Sequence, residues 1–138
     1  MINLHIIGVQ KAGTTALASF LHQHPDIYVV DGKEAHIFDH PTFSERTNKP
    51  RIARLNFKNR LSNYKNESIR CDATPITLFR EEFLTRCIAY NPDAKFIVIL
   101  RDPVDRAVSH YKMSRSRGFE KRCMLFAFLL EHFRLRKH

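Results

Sequence analysis

No apolar run in this 138-residue chain approaches the ~18 residues a membrane-crossing helix needs; the longest, Met124 to Leu130, has seven. Met1 directly precedes the first apolar run, which leaves no room for a signal peptide or anchor, so the expected location is the cytoplasm. Cysteine is scarce: Cys71, Cys87 and Cys123 lie far apart with no C-x-x-C pair, which argues for reduced structural thiols over a metal or disulfide framework. The Asn66-Glu67-Ser68 sequon has meaning only in a secreted chain. Acidic residues are also few, 14 Asp and Glu against 23 Lys and Arg. The excess is uneven, with residues 39–70 at +5 and 112–138 at +6, while 1–38 and 71–111 each sum to −1. Two basic blocks flanking a near-neutral middle suggest an anionic ligand or acidic polymer, or more plainly a solvated basic surface. No recognised nucleic-acid motif accompanies that charge. The apolar fraction of 43% and this length suit one domain, residues 1–138, with one modest core.

The chain is organised around Leu4 to Leu21, LHIIGVQKAGTTALASFL. Ile6, Ile7 and Val9 form the apolar run expected of a strand buried on both faces of a parallel sheet. The chain turns through Gly8 and Gly13, then enters a helix carrying Leu17, Phe20 and Leu21 at helical spacing. Strand, glycine loop and helix make a phosphate cradle, because backbone N–H groups and the positive helix end both point at an anion. The Walker pattern places lysine directly after the second glycine. Here Thr14 holds that position, Thr15 keeps the hydroxyl, and the lysine is Lys11, inside the loop. That displacement argues against ATP or GTP hydrolysis.

A break at His24-Pro25-Asp26 precedes a short strand, Ile27 to Val30. Its exit carries Lys33-Glu34-Ala35-His36-Ile37-Phe38-Asp39. Ligands in open α/β sheets gather at the carboxyl ends of strands, so this cluster and the Lys11 loop can share a crevice. Glu34 could serve as general base, Lys33 could offset charge, and His36 and Asp39 could position either. The plain alternative is a polar loop; a metal site from His36, His40 and Asp39 lacks further ligands at good spacing. Residues 40–68, polar and basic with Pro41 and Pro50, read as a mobile or weakly helical insertion. Ile69 to Asp72 is another short strand, followed by Ala73-Thr74-Pro75. A covering helix is expected within Leu78 to Tyr90, ended by Asn91-Pro92-Asp93. Lys95 to Leu100, KFIVIL, has the β-branched and aromatic run of a central parallel strand. Arg101 stands at its end, suited to grip a phosphate with its planar fork or to pair with Asp102 or Asp105. A helix then starts at Pro103, with Val104, Ala107, Val108 and Tyr111 on one stripe and Ser109 two turns down. Met124 to Leu130 is apolar on every face and is expected to be buried.

Four of these segments together resemble the sulfotransferases that use 3′-phosphoadenosine 5′-phosphosulfate, of the heparan-sulfate and bacterial carbohydrate type. The Gly8–Thr15 loop is similar to their 5′-phosphosulfate loop. Lys33-Glu34-x-His36-x-Phe38-Asp39 resembles their KEPHFFD element, with Ala35 and Ile37 standing where the family has proline and phenylalanine. Asp72-Ala73-Thr74-Pro75 resembles their D/E-x-T-P segment, and RDPVDRAVSHY, with Arg101 and Ser109 eight apart, resembles their 3′-phosphate motif.

The resemblance implies an α/β, P-loop NTPase-like three-layer fold, a central parallel sheet flanked by helices, represented by its amino-terminal portion. It implies that Lys11, Ala12, Gly13, Thr14, Thr15, Arg101 and Ser109 hold the donor. It further implies that Glu34 deprotonates an acceptor hydroxyl or amine with help from Lys33 and His36, and that Lys33, His36, Asp39, Thr74 and Pro75 line the acceptor pocket. The implied acceptor is a carbohydrate, and the implied scheme requires no metal. Two rivals stand beside it: a nucleotide kinase or NTPase on the same fold, and a non-catalytic remnant that binds nucleotide or polyanion. Nothing in the pattern specifies an oligomeric state.

Overall fold

The computed structural model describes residues 1–43 and 49–130, and the chain divides into two compact units, Met1–Leu100 and Arg101–His138. In the first unit, β1 (Leu4–Gly8), β2 (Ile27–Val29), β3 (Ile69–Asp72) and β4 (Lys95–Ile99) form a sheet in the order β2-β3-β1-β4. Every pairing is parallel, with Ile6 opposite Ile97 and His5 opposite both Phe96 and Asp72. β1 and β3 each have a strand on both sides, and all five residues of β1 are buried.

Each face of the sheet has its own apolar layer. On one, Leu4, Ile6, Val29, Cys71 and Ala73 pack with Ala18, Leu17 and Leu21 of α1 (Thr14–Leu21). On the other, Phe38, Phe43, Phe57, Cys87 and Tyr90 form a cluster that includes α2 (Lys49–Lys58) and α3 (Glu81–Tyr90). Helices on both faces of a parallel sheet are the three-layer α/β arrangement expected from the alternating strand and helix patterns.

Several expectations are corrected in detail. β4 is an edge strand among the described residues, not a central one, and Val98 and Leu100 are mostly exposed. An unbroken apolar run signals a strand but does not say which neighbours it has. Phe20 of α1 is also exposed, because it lies ~100° round the helix from the stripe of Leu17, Ala18 and Leu21. The segment read as a mobile or weakly helical insertion is helical in part and packed into the core: α2 buries Ala53 and Phe57, and a 3₁₀ turn at Pro41–Phe43 buries Phe43. Residues 44–48 of that segment lie outside the described residues. The connection after α2 is tied to β2, since Tyr28 Oη donates to Asp31 at 2.6 Å and Ser62 N–H donates to the same carboxylate at 2.9 Å. The Tyr28 hydroxyl is the main reason the Asp31 carboxyl sits below its ordinary range.

In the second unit, α4 (Pro103–Ser116) starts with Asp102 accepting from the Val104 and Asp105 N–H groups at 2.9 and 3.1 Å. α5 (Met124–Leu129) is not the buried helix its composition suggests: Leu125, Phe126 and Leu129 are exposed and Ala127 alone of its residues is buried. Residues 131–138 lie outside the described residues.

Candidate active site

β1 delivers the glycine loop. Gly8 has φ 151 and its backbone lies so close to β4 that a Cβ would collide with the Ile99 carbonyl. Val9 N–H donates to that carbonyl at 3.2 Å, and Ala12 N–H returns to Val9 O at 3.2 Å. The loop crosses left-handed space at Lys11 (φ 72) and again at Gly13 (φ 100), which caps α1. Leu17 N–H to Gly13 O begins the helical ladder, so the Thr14, Thr15 and Ala16 N–H groups precede it. No acidic residue in the first turn opposes the positive helix end. Amides at a helix start of this kind can receive a negatively charged oxygen.

The Lys33–Asp39 segment follows β2 and explains itself by alternation. Ala35, Ile37 and Phe38 are buried in the aromatic cluster, which turns Glu34 and His36 outward. Its backbone is anchored at three points: Ala73 N–H donates to Lys33 O at 3.1 Å, Ala35 N–H to Asp72 Oδ1 at 3.1 Å, and Arg86 Nη1 to Phe38 O at 2.7 Å. Proline, the residue of the resembled motif, has no N–H and could not make the bond that Ala35 makes. Lys33 (φ 67) and His36 (φ 52) are held in left-handed conformations that cost on the order of 1–2 kcal/mol each for residues with a Cβ. Such conformations gather at functional sites.

The side chains then connect the two loops. Lys33 Nζ lies 3.1 Å from Thr15 Oγ1 and also bonds Glu34 Oε1. Glu34 Oε2 faces His36 Nε2 at 3.2 Å, and His36 Nδ1 meets Asp39 Oδ2 at 2.8 Å. Thr15, Lys33, Glu34, His36 and Asp39 are therefore one continuous polar chain that runs from the anion loop to the segment after β2. Beside it opens a cleft of about 440 Å³ whose polar lining includes His36, His40, Thr42, Asn56, Asn59 and Arg60. Among the described residues, no group of three His, Cys, Asp or Glu is disposed to hold a metal ion.

Other expected residues lie elsewhere. Thr74 and Pro75 are buried, and the Thr74 hydroxyl donates to Asp72 Oδ1 at 2.8 Å. Through Asp72, Thr74 is tied to the Ala35 amide of the Glu34 loop. Arg101 and Ser109 belong to the second unit; Arg101 directly precedes the Asp102 cap and Ser109 sits half-buried on α4. Pattern reading missed His5 and Asp72, two buried polar residues set among the apolar positions of β1 and β3. It also missed the α2 end, Asn56, Asn59 and Arg60, as a wall of the cleft. The available signal at Asp72 was a carboxylate set between apolar Cys71 and Ala73 at a strand's end.

The chain matches the sulfotransferase family over residues 4–124, a span that contains both loops and the Arg101–Tyr111 motif. It belongs to the sulfotransferase family. It is 37% identical over 112 residues to human heparan sulfate glucosamine 3-O-sulfotransferase 3B1, covering 81% of this chain and 26% of that protein. Over 112 residues it is 31% identical to the membrane-associated sulfotransferase kil1 of Dictyostelium discoideum, covering 81% of this chain and 23% of that one. Its structure resembles the crystal structure of a sulfotransferase from Alicyclobacillus acidocaldarius with a TM-score of 0.83 and 32% identity, covering all of this chain and 60% of the other. This sulfotransferase chain thus spans about a quarter of the curated relatives and three-fifths of the solved one.

Proposed function

We propose that this chain transfers a sulfonate group from 3′-phosphoadenosine 5′-phosphosulfate to a hydroxyl or amine, with a carbohydrate as acceptor. The observation that carries this reading is the unbroken path from Thr15 through Lys33 to Glu34 and His36, which joins an anion-binding loop to a carboxylate that can take a proton. Against nucleotide hydrolysis stands Thr14, which occupies the position where the Walker pattern has its lysine.

In this scheme the acceptor oxygen or nitrogen forms a new bond to sulfur while the bond from sulfur to the donor's phosphate oxygen breaks. Glu34 takes the acceptor's proton, and His36, held by Asp39 through Nδ1, offers Nε2 to receive or steady it. Lys11, Lys33 and the Thr14 and Thr15 N–H groups offset the charge that collects on the departing phosphate oxygen. By analogy with phosphoryl transfer, a loose transition state leaves the protein mainly to position and to stabilise charge. The resemblance of the Arg101–Tyr111 segment to the family's 3′-phosphate motif is the ground for preferring this donor to ATP. The cleft beside His36 takes the acceptor, and its Asn56, Asn59 and Arg60 lining suits the hydroxyls and acidic groups of a sugar. The three unpaired cysteines support a reducing, cytoplasmic setting.

A rival reading, donor binding without turnover, rests on the chain spanning only part of its relatives. The deciding experiment pairs calorimetry of 3′-phosphoadenosine 5′-phosphate with a sulfonate-transfer assay. Binding with transfer supports the proposal; binding without transfer supports the rival; and equal affinity for ATP, unaffected by Arg101→Ala, removes the assigned donor.

A further inference from the structure

We propose that Asp72 and His5 are positioning residues that set the orientation of Glu34 from within the core. Glu34 sits between two backbone anchors. The carbonyl before it, of Lys33, accepts from Ala73 N–H, and the amide after it, of Ala35, donates to Asp72 Oδ1, each at 3.1 Å. With both flanking peptide groups fixed to β3 and its exit, the direction in which the Glu34 side chain leaves the loop follows from where β3 ends.

Asp72 itself is held from three sides. It is 2% exposed, its Oδ1 also receives the Thr74 hydroxyl at 2.8 Å, and its Oδ2 faces His5 Nδ1 at 3.6 Å. His5 is its register partner on β1 and is 1% exposed. The imidazole is boxed by aromatic rings, stacked on Phe96 at 5.5 Å and edge-on to Phe38 and Phe57. His5 Nε2 is buried with no hydrogen-bond partner. A proton on Nε2 would be a buried donor facing rings, whereas a proton on Nδ1 faces the carboxylate, so the Nδ1–H tautomer is the one this box accepts. Burying a carboxylate is seldom the best way to stabilise a core, and an apolar pair of similar volume often serves as well. One donor to Asp72 is the Ala35 N–H of the Glu34 loop and another is the Thr74 hydroxyl just past β3, which gives the buried charge a task beyond packing.

This inference rests on Glu34 being the base, and the test separates the two. Asp72→Asn keeps the side chain's shape and removes its charge. The expected result is kcat lower by ~10- to 100-fold, the scale of a misplaced reacting group, with affinity for 3′-phosphoadenosine 5′-phosphate within about twofold of wild type. The Ala35 amide should exchange with solvent at least ~10-fold faster, while core amides of β1 keep their protection. Nitrogen-15 spectra of the wild-type chain should show His5 protonated on Nδ1. If Asp72→Asn does not fold, Thr74→Val carries the test: it should lower kcat while Thr74→Ser restores it. Unchanged kcat together with unchanged Ala35 exchange overturns the proposal, as does a His5 proton on Nε2. Should the wild-type chain transfer no sulfonate, the assignment of Glu34 falls, yet Ala35 exchange and the His5 proton still decide whether Asp72 holds the loop.

Discussion

Phe57→Ala is the perturbation that best probes how the cleft beside His36 is built. Phe57 is 2% exposed, and its ring meets Tyr90 at 5.3 Å, Phe38 at 5.6 Å and His5 at 6.4 Å. It is the large side chain by which α2 enters the core, since Ala53 is the helix's other buried residue. Truncating a buried phenylalanine costs about 3–5 kcal/mol, a large share of the ~5–15 kcal/mol that holds a domain together. At roughly 3–5 °C per kcal/mol for a chain of this size, the midpoint of thermal unfolding should fall by about 10–20 °C. Urea denaturation followed by circular dichroism supplies the free energy directly. Leu55→Ala on the same helix serves as the control; Leu55 is 55% exposed, and its loss should change stability by no more than about 0.5 kcal/mol. A Phe57→Ala cost below ~1 kcal/mol would mean that α2 is a loosely attached insertion and that the cleft it walls has no fixed shape.

Lys11→Ala should lower turnover ~100-fold or more, the usual loss on removing a charge stabiliser; steady-state rates at saturating donor measure it, and a near-normal rate refutes the role. Arg60→Ala should raise KM about tenfold for an acceptor bearing a carboxylate or sulfate while leaving a neutral acceptor unaffected, as expected for one charged hydrogen bond. An equal effect on both acceptors would remove Arg60 from recognition. Burial pushes the Cys71 and Cys87 thiols from about 9 up to about 12. Above pH 9 the unfolded chain therefore releases these protons before the folded one does, so their contribution to stability is intact below pH 9 and is lost between about 9 and 12. Denaturation midpoints across that range, compared with a Cys71→Ala variant, measure the slope; a slope unchanged by the substitution contradicts the burial account. In the native state a thiol reagent should modify the exposed Cys123 first.

Much of this site is legible in local pattern because local chemistry determines it. Gly8 and Gly13 mark backbone positions that need unusual φ, and Lys33 to Asp39 concentrates reactive side chains just after an apolar run. The strand Ile69–Asp72 has the limits its composition suggests. What escapes is decided by partners distant in the chain. That β4 lies at an edge depends on which strands pair with it, and KFIVIL reads the same in either place. α2 is hidden because KPRIARLNFK carries too few apolar residues to announce a buried stripe, although Phe57 alone anchors it. The Lys33–Thr15 contact spans 18 positions and the His5–Asp72 pair spans two strands, so neither leaves a periodic trace.

The most direct measurement is sulfonate transfer by wild type and Glu34→Gln, run beside calorimetry of 3′-phosphoadenosine 5′-phosphate with both. The account predicts measurable transfer by wild type and a loss of ~100-fold or more in the variant, with nucleotide affinity unchanged within about twofold. Transfer by Glu34→Gln at a rate near wild type would contradict it.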